Sequence, residues 1–137
     1  MMIKRIFGFK YQNHLKNITL KNIEVKLYEL GFTEVVVTDL MAILEKRYEQ
    51  YGEQKFQEWF NGLHFRVPEE FKDEKFVTEF YQKHADFIEK QVKQLESETE
   101  LSWEVQTEDI KQLNEKARKV QLVVRDSLSG IALELLD

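Results

Sequence analysis

Between Thr107 and Leu128 the apolar residues Ile110, Leu113, Ala117, Val120, Val124 and Leu128 return at steps of three, four, three, four and four. That rhythm follows the 3.6-residue turn of an α-helix, whereas a strand alternates every second residue. A helix of this length buries one stripe and needs neighbours to cover it, so the other segments are expected to pack around it. Thr107 suits an N-cap, and Glu108 and Asp109 put negative charge at the positive end of the helix dipole. Ser129–Gly130 is expected to interrupt the helix and leave Ile131, Leu133, Leu135 and Leu136 as an apolar tail.

A second long helical segment is predicted to open at Pro68 or Asp73. Phe76, Phe80, His84, Phe87, Ile88, Gln91, Val92 and Leu95 fall on one broad face of it, with Glu79, Lys83, Asp86, Glu89, Lys90 and Lys93 opposite. Glu89 and Lys93 form an i, i+4 pair, which stabilises a helix by a few tenths of a kcal/mol. Apolar burial at about 25 cal/mol per Å2 outweighs exposed ion pairs at about 0–1 kcal/mol each, so the two long helices are expected to pack together.

Shorter elements surround them. Ile3–Tyr11 alternates Phe7, Phe9 and Tyr11 with Gly8 and Lys10, which predicts a strand. Thr19–Leu30 fits a strand by Ile23, Val25 and Leu27, and a helix by Leu20, Ile23, Leu27 and Leu30. Its ends favour a helix: Thr19 is an N-cap, and Gly31 before Phe32 has the form of a left-handed C-cap. Three consecutive valines make Thr33–Val37 a predicted buried strand. A helix follows from Thr38 or Asp39 to Tyr51, stopped by Gly52, and another spans Glu53–Asn61. Leu63–Val67 reads as a connector or short strand, and Leu101–Gln106 as a strand.

The 137 residues carry a net charge of −5 and include 17 aromatic side chains, 10 Phe, 5 Tyr and 2 Trp, enough to fill a core. One proline and five scattered glycines mark no linker, so residues 1–137 are expected to form one domain. The absence of cysteine excludes disulfides, thiolate metal sites and cysteine nucleophiles. Lys4, Arg5, Lys10, Lys16, Lys21 and Lys26 read as a solvated basic face, and the acidic balance argues against broad nucleic-acid binding. No apolar run approaches the roughly 18 residues of a membrane span, and the first residues lack a signal-peptide core, so a cytoplasmic location is expected.

Chemical signatures are scarce. The sequence holds no G-x-G-x-x-G, no phosphate-binding lysine loop and no G-x-S-x-G elbow. Of His14, His64 and His84, the last lies on an apolar face with Asp86 about 200° away, which reads as a histidine at the core edge. The acidic pairs Glu45/Glu49 and Glu70/Glu74 have no matching second motif of the kind that builds metal sites in helical bundles. A helix-turn-helix reading of Leu20 to Leu40 meets an acidic and apolar second element, Thr38–Asp39–Leu40–Met41, where base-reading side chains are needed.

The expected fold is α+β and predominantly helical, with two long packed helices, shorter helices and a small three-stranded sheet of Ile3–Tyr11, Thr33–Val37 and Leu101–Gln106. The alternative is an all-α bundle with extended arms. The expected function is a non-catalytic intracellular interaction module, an adaptor, assembly factor or inhibitor, with a homodimer as one form of it and no cofactor. Its candidate surface is Leu122, Val123, Ile131, Leu133, Leu135 and Leu136, although the tail also suits folding back onto the core. A small metal-dependent hydrolase with carboxylate ligands, or an acidic inhibitor of a nucleic-acid-binding protein, are the alternatives.

Overall fold

Thr19, with extended backbone angles (φ −117°, ψ 157°), starts the helix that follows it. Its hydroxyl accepts the Asn22 N–H at 3.1 Å, satisfying one of the donors that a helix start leaves open. In this computed structural model, which describes residues 15–64, 66–98 and 114–136, the helix that follows is α1, Leu20–Glu29. Gly31 takes φ +91°, the Gly31 N–H donates to the Tyr28 carbonyl at 3.0 Å, and the Phe32 N–H donates to the Leu27 carbonyl at 3.1 Å. This double closure is a Schellman motif, and buried Phe32 supplies its hydrophobic contact. The helix reading of this segment, with both of its caps, is what the structure shows.

The described residues form five α-helices and two 3₁₀ turns, with no strand among them. They are all-α, which corrects the expectation of α+β with a three-stranded sheet. Thr33–Val37 is the clearest reversal. Thr33 is the N-cap of α2, Glu34–Tyr51, and its carbonyl accepts the Val37 N–H at 2.9 Å. The three valines occupy the first turns of that helix. A β-branched residue costs a helix only a few tenths of a kcal/mol, whereas burying a valine side chain contributes roughly 1.5–3 kcal/mol. Val36 and Val37 are both buried, continuing the face of Leu40, Met41, Ile43, Leu44 and Arg47. Gly52 at φ +85° ends α2 and opens α3, Glu53–Asn61. Of the Leu63–Val67 connector, Leu63 and His64 belong to a 3₁₀ turn, Gly62–His64, Arg66 and Val67 are in no strand, and Phe65 lies outside the described residues. The other two expected strands, Ile3–Tyr11 and Leu101–Gln106, lie outside the described residues.

A second 3₁₀ turn, Glu69–Lys72, precedes the longest helix, α4, Glu74–Glu98. Phe80, His84, Ile88 and Val92 of its expected apolar face are buried, and Glu79, Lys83, Asp86, Lys90 and Lys93 are exposed. At His84 the backbone leaves helical geometry (φ −125°, ψ 31°), so α4 is broken where an uninterrupted helix was expected.

The last helix, α5, spans Glu115–Glu134. Asn114, not Thr107, is its N-cap: the Ala117 N–H donates to Asn114 Oδ1 at 2.9 Å. Residues 107–113 of the expected helix lie outside the described residues. Ala117, Val120, Val124 and Leu128 are buried, as the spacing predicts. The helix continues through Ser129–Gly130, where an interruption was expected. A glycine costs a helix about 1 kcal/mol, less than the burial of Ile131 alone returns.

The chain divides into two compact units, residues 1–64 with 127–137, and residues 65–126. In the first, α1 packs on α2 and α2 on α3. Phe56 lies at the centre of an aromatic group there, with ring centroids 5.4 Å from Tyr48, 5.8 Å from Trp59 and 6.1 Å from Phe60. In the second, Phe71 of the 3₁₀ turn meets Phe76 and Phe80 of α4 edge-on, at 5.4 and 5.3 Å. Gln121 of α5, fully buried, donates from Nε2 to the Phe71 carbonyl.

Candidate functional site

The six expected surface residues have different fates. Val123, Ile131 and Leu135 are buried, Leu122 and Leu136 are half-buried, and Leu133 is exposed. Val123 has the helical position of a core residue, two turns before Ile131 and next to Val124. Buried side chains are already covered and offer no area to a partner, so of the six Leu133 presents the most surface.

Other apolar side chains are more accessible. Val25, Tyr28 and Leu30 are each 46% exposed, Val35 is 55% and Leu133 59%. With Tyr51, these are the exposed large apolar residues among those described, and all six belong to the first unit. Four of them fall between Val25 and Val35, on α1, the turn after it and the first turn of α2. Val25 is two residues from both Ile23 and Leu27, about 200° around the helix from each, so it points away from the side that packs. This residue was within reach of sequence reasoning. Once Thr19–Leu30 is a helix and not a strand, Val25 drops off the buried stripe.

An ion pair stands beside the exposed residues. Lys26 Nζ lies 3.3 Å from Glu29 Oε1 and 3.5 Å from Glu134 Oε2, joining α1 to the end of α5. Glu29, and then Glu134, hold the Lys26 ammonium above the ordinary lysine range. Val25 adjoins Lys26 and Leu133 adjoins Glu134, so an exposed apolar residue flanks each side of this link.

The second unit holds a polar cluster. Tyr81 Oη donates to Glu89 Oε2 at 2.5 Å, and Lys119 Nζ approaches the two Glu89 oxygens at 3.1 and 2.9 Å. Lys119 also faces Glu115 at 3.8 Å, and Lys116 Nζ lies 5.6 Å from the centroid of the Tyr81 ring. The Tyr81 hydroxyl and then Lys119 pull the Glu89 carboxyl below its usual range. Bonding to Glu89 pushes both the Tyr81 phenol and the Lys119 ammonium up. All three shifts lead away from neutrality. General acids and bases work best with a pKa near the operating pH, so the cluster is built to stay in one protonation state. It ties α4 to α5.

Among the described residues the remaining chemical candidates do not converge. His84 is buried with its ring centroid 4.6 Å from that of Phe80. Glu45, Glu49 and Glu74 are exposed and Glu70 is half-buried. Among the described residues no three His, Asp or Glu side chains gather as metal ligands. Glu74, Lys75, Thr78, Glu79, Gln82 and Asn114 line a depression of about 640 Å³ that is open to solvent. A site that holds a small molecule buries most of the ligand's surface, which so open a depression does not.

No protein-family model, characterised protein or solved structure matches this chain. No described helix is long and apolar enough to cross a membrane.

Proposed function

We propose that this chain is a non-catalytic, intracellular protein-interaction module that docks through the exposed apolar residues of its first unit. One observation carries the reading: among the described residues, the six exposed large apolar side chains all lie in the first unit. Scattered apolar residues are ordinary on a protein surface, but their concentration on one part of it marks a surface that gains by being covered. Val25, Tyr28, Leu30 and Val35 form the main part of the docking surface, with Leu133 beside the Lys26–Glu134 link. Of the surface expected on the last helix and its tail, this reading keeps exposed Leu133 and half-buried Leu136, while Leu122 belongs to the second unit.

The test is cross-linking in the native host from a photoreactive residue placed at Val25 or at Leu133. Specific protein adducts are expected at these positions, and none from Lys90 on the polar face of α4. Equal labelling from all three positions, or turnover of a small molecule by the purified chain, would defeat the reading.

A further inference from the structure

We propose that the outer face of α1 is a dimer contact, covered by α1 of a second copy of this chain running in the opposite direction. The inference rests on the interaction-module reading and names the partner of the α1 part of that surface. Lys21, Glu24, Val25, Tyr28 and Glu29 are all exposed. Lys21, Val25 and Glu29 are spaced four apart, so they form one of the inclined rows that interdigitate in the commonest class of helix packing. Tyr28 stands in the next row and adds apolar area. The side chain of Glu29 is 58% exposed, and its neighbour Lys26 is shared with Glu134.

Charge selects the occupant. From start to end the row reads basic, apolar, acidic. Each charge stands at the wrong end of its own helix, because a helix start favours acids and a helix end favours bases. The first turn of α1 contains no acidic residue to correct this. A second row laid in reverse sets Lys21 of each copy against Glu29 of the other. It also brings each charge near the pole of the neighbouring helix that suits it. A row laid in the same direction would set lysine against lysine and glutamate against glutamate. In the reversed arrangement Val25 lies on the two-fold axis and meets itself, since Lys21 and Glu29 are each four residues, about 6 Å, from it. One ten-residue helix buries less than a standard interface, so the dimer is weak and depends on concentration.

Sedimentation of the full chain from micromolar to millimolar concentration tests this. The mass is expected to rise from monomer to dimer. Lys21→Glu and Glu29→Lys should each raise the midpoint concentration about tenfold or more. An equimolar mixture of the two variants should associate again, because the mixed dimer carries two opposite-charge pairs. The sequence contains no cysteine, so Val25→Cys introduces a single thiol. Mild oxidation should link it into a covalent dimer, while Val35→Cys should form no covalent dimer. All these positions are exposed, and circular dichroism checks that each variant keeps the helical fold. A native chain that stays monomeric throughout, or a dimer indifferent to both charge reversals, overturns the inference. A monomeric chain whose Val25 cross-links another protein in cells overturns the dimer and leaves the interaction-module reading intact. A monomeric chain that cross-links nothing overturns both.

Discussion

Tyr81 and Glu89 are hydrogen-bonded across the break that His84 makes in α4, hydroxyl to carboxylate at 2.5 Å. Eight residues separate them, about 12 Å along a regular helix. Their bond bridges the two halves of α4 on the side that Lys119 of α5 also reaches.

This cluster makes acid stability depend on one carboxylate. Glu89 is depressed in the folded chain, so its contribution is present above the unfolded glutamate pKa, about 4.3, and is lost as pH falls through the lower folded value. Glu89 is 37% exposed, and solvent screening limits the effect to about 1 kcal/mol or less. Urea unfolding of the native chain and of Tyr81→Phe should differ by that amount at pH 7 and by less at pH 3. At high pH the sign reverses. The raised Lys119 stabilises below the unfolded lysine value and ceases to do so as pH rises through its folded one. A gap between native and Tyr81→Phe that is the same at both pH values would contradict this.

The two ends of α1 are expected to respond to single substitutions. Thr19→Ala removes the hydroxyl that caps Asn22 and should cost about 1 kcal/mol. Gly31→Ala should cost a similar ~1 kcal/mol for a different reason. No atom lies within 4 Å of the added Cβ, but φ of +91° is a conformation that only glycine adopts freely. Thermal unfolding of the two variants checks both values, and an unchanged midpoint for Gly31→Ala would contradict the cap geometry.

Gly130 should behave in the opposite way. It lies inside α5 with ordinary φ, and a Cβ there meets nothing within 4 Å. Gly130→Ala therefore removes backbone freedom from the unfolded chain at no steric cost, and should stabilise by roughly 0.5–1 kcal/mol. Chemical denaturation measures it directly, with a rise in midpoint and no change in slope.

Gln121 is the most demanding polar residue of the second unit. Its Nε2 is bonded to the Phe71 carbonyl, while its Oε1 is buried with no partner among the described residues. Gln121→Ala leaves a cavity and an unpaired carbonyl and should cost about 2–4 kcal/mol. Gln121→Leu keeps the volume and removes the unpaired oxygen, so it should cost clearly less. Equal losses for the two would show that volume has no part in it.

The contrast between α1 and α2 explains how much of this fold the sequence discloses. Thr19, Gly31 and Phe32 act on neighbours within five residues, so their meaning is written beside them. Val35, Val36 and Val37 favour a strand on the same local scale. What makes them helical is a face that runs on to Arg47, together with the α1 surface that covers it. Thr38 and Asp39 also resemble caps, and so placed the helix start a turn too late. Ser129–Gly130 misleads in the same way, because its breaking tendency is local while the burial of Ile131 and Leu135 is not. The candidate surface mixes covered and open residues for a related reason. Apolar periodicity shows which side chains seek cover, as Val123 and Leu135 do, but says nothing of whether the cover is already there. Val25 is the reverse case, an apolar residue outside its stripe, and on a helix the sequence spacing alone shows that mismatch.

Asn114 serves two helix starts with a single carboxamide. Its oxygen accepts from Ala117 at the head of α5, while its nitrogen donates to Glu74 at 3.0 Å and Thr78 at 3.4 Å at the head of α4. Aspartate equals asparagine as a cap but has only acceptors when ionised, and it would repel Glu74. Serine is too short to bridge the gap. The side chain thus works as a shared hinge pin, and losing it would let the two helix heads fray independently of one another.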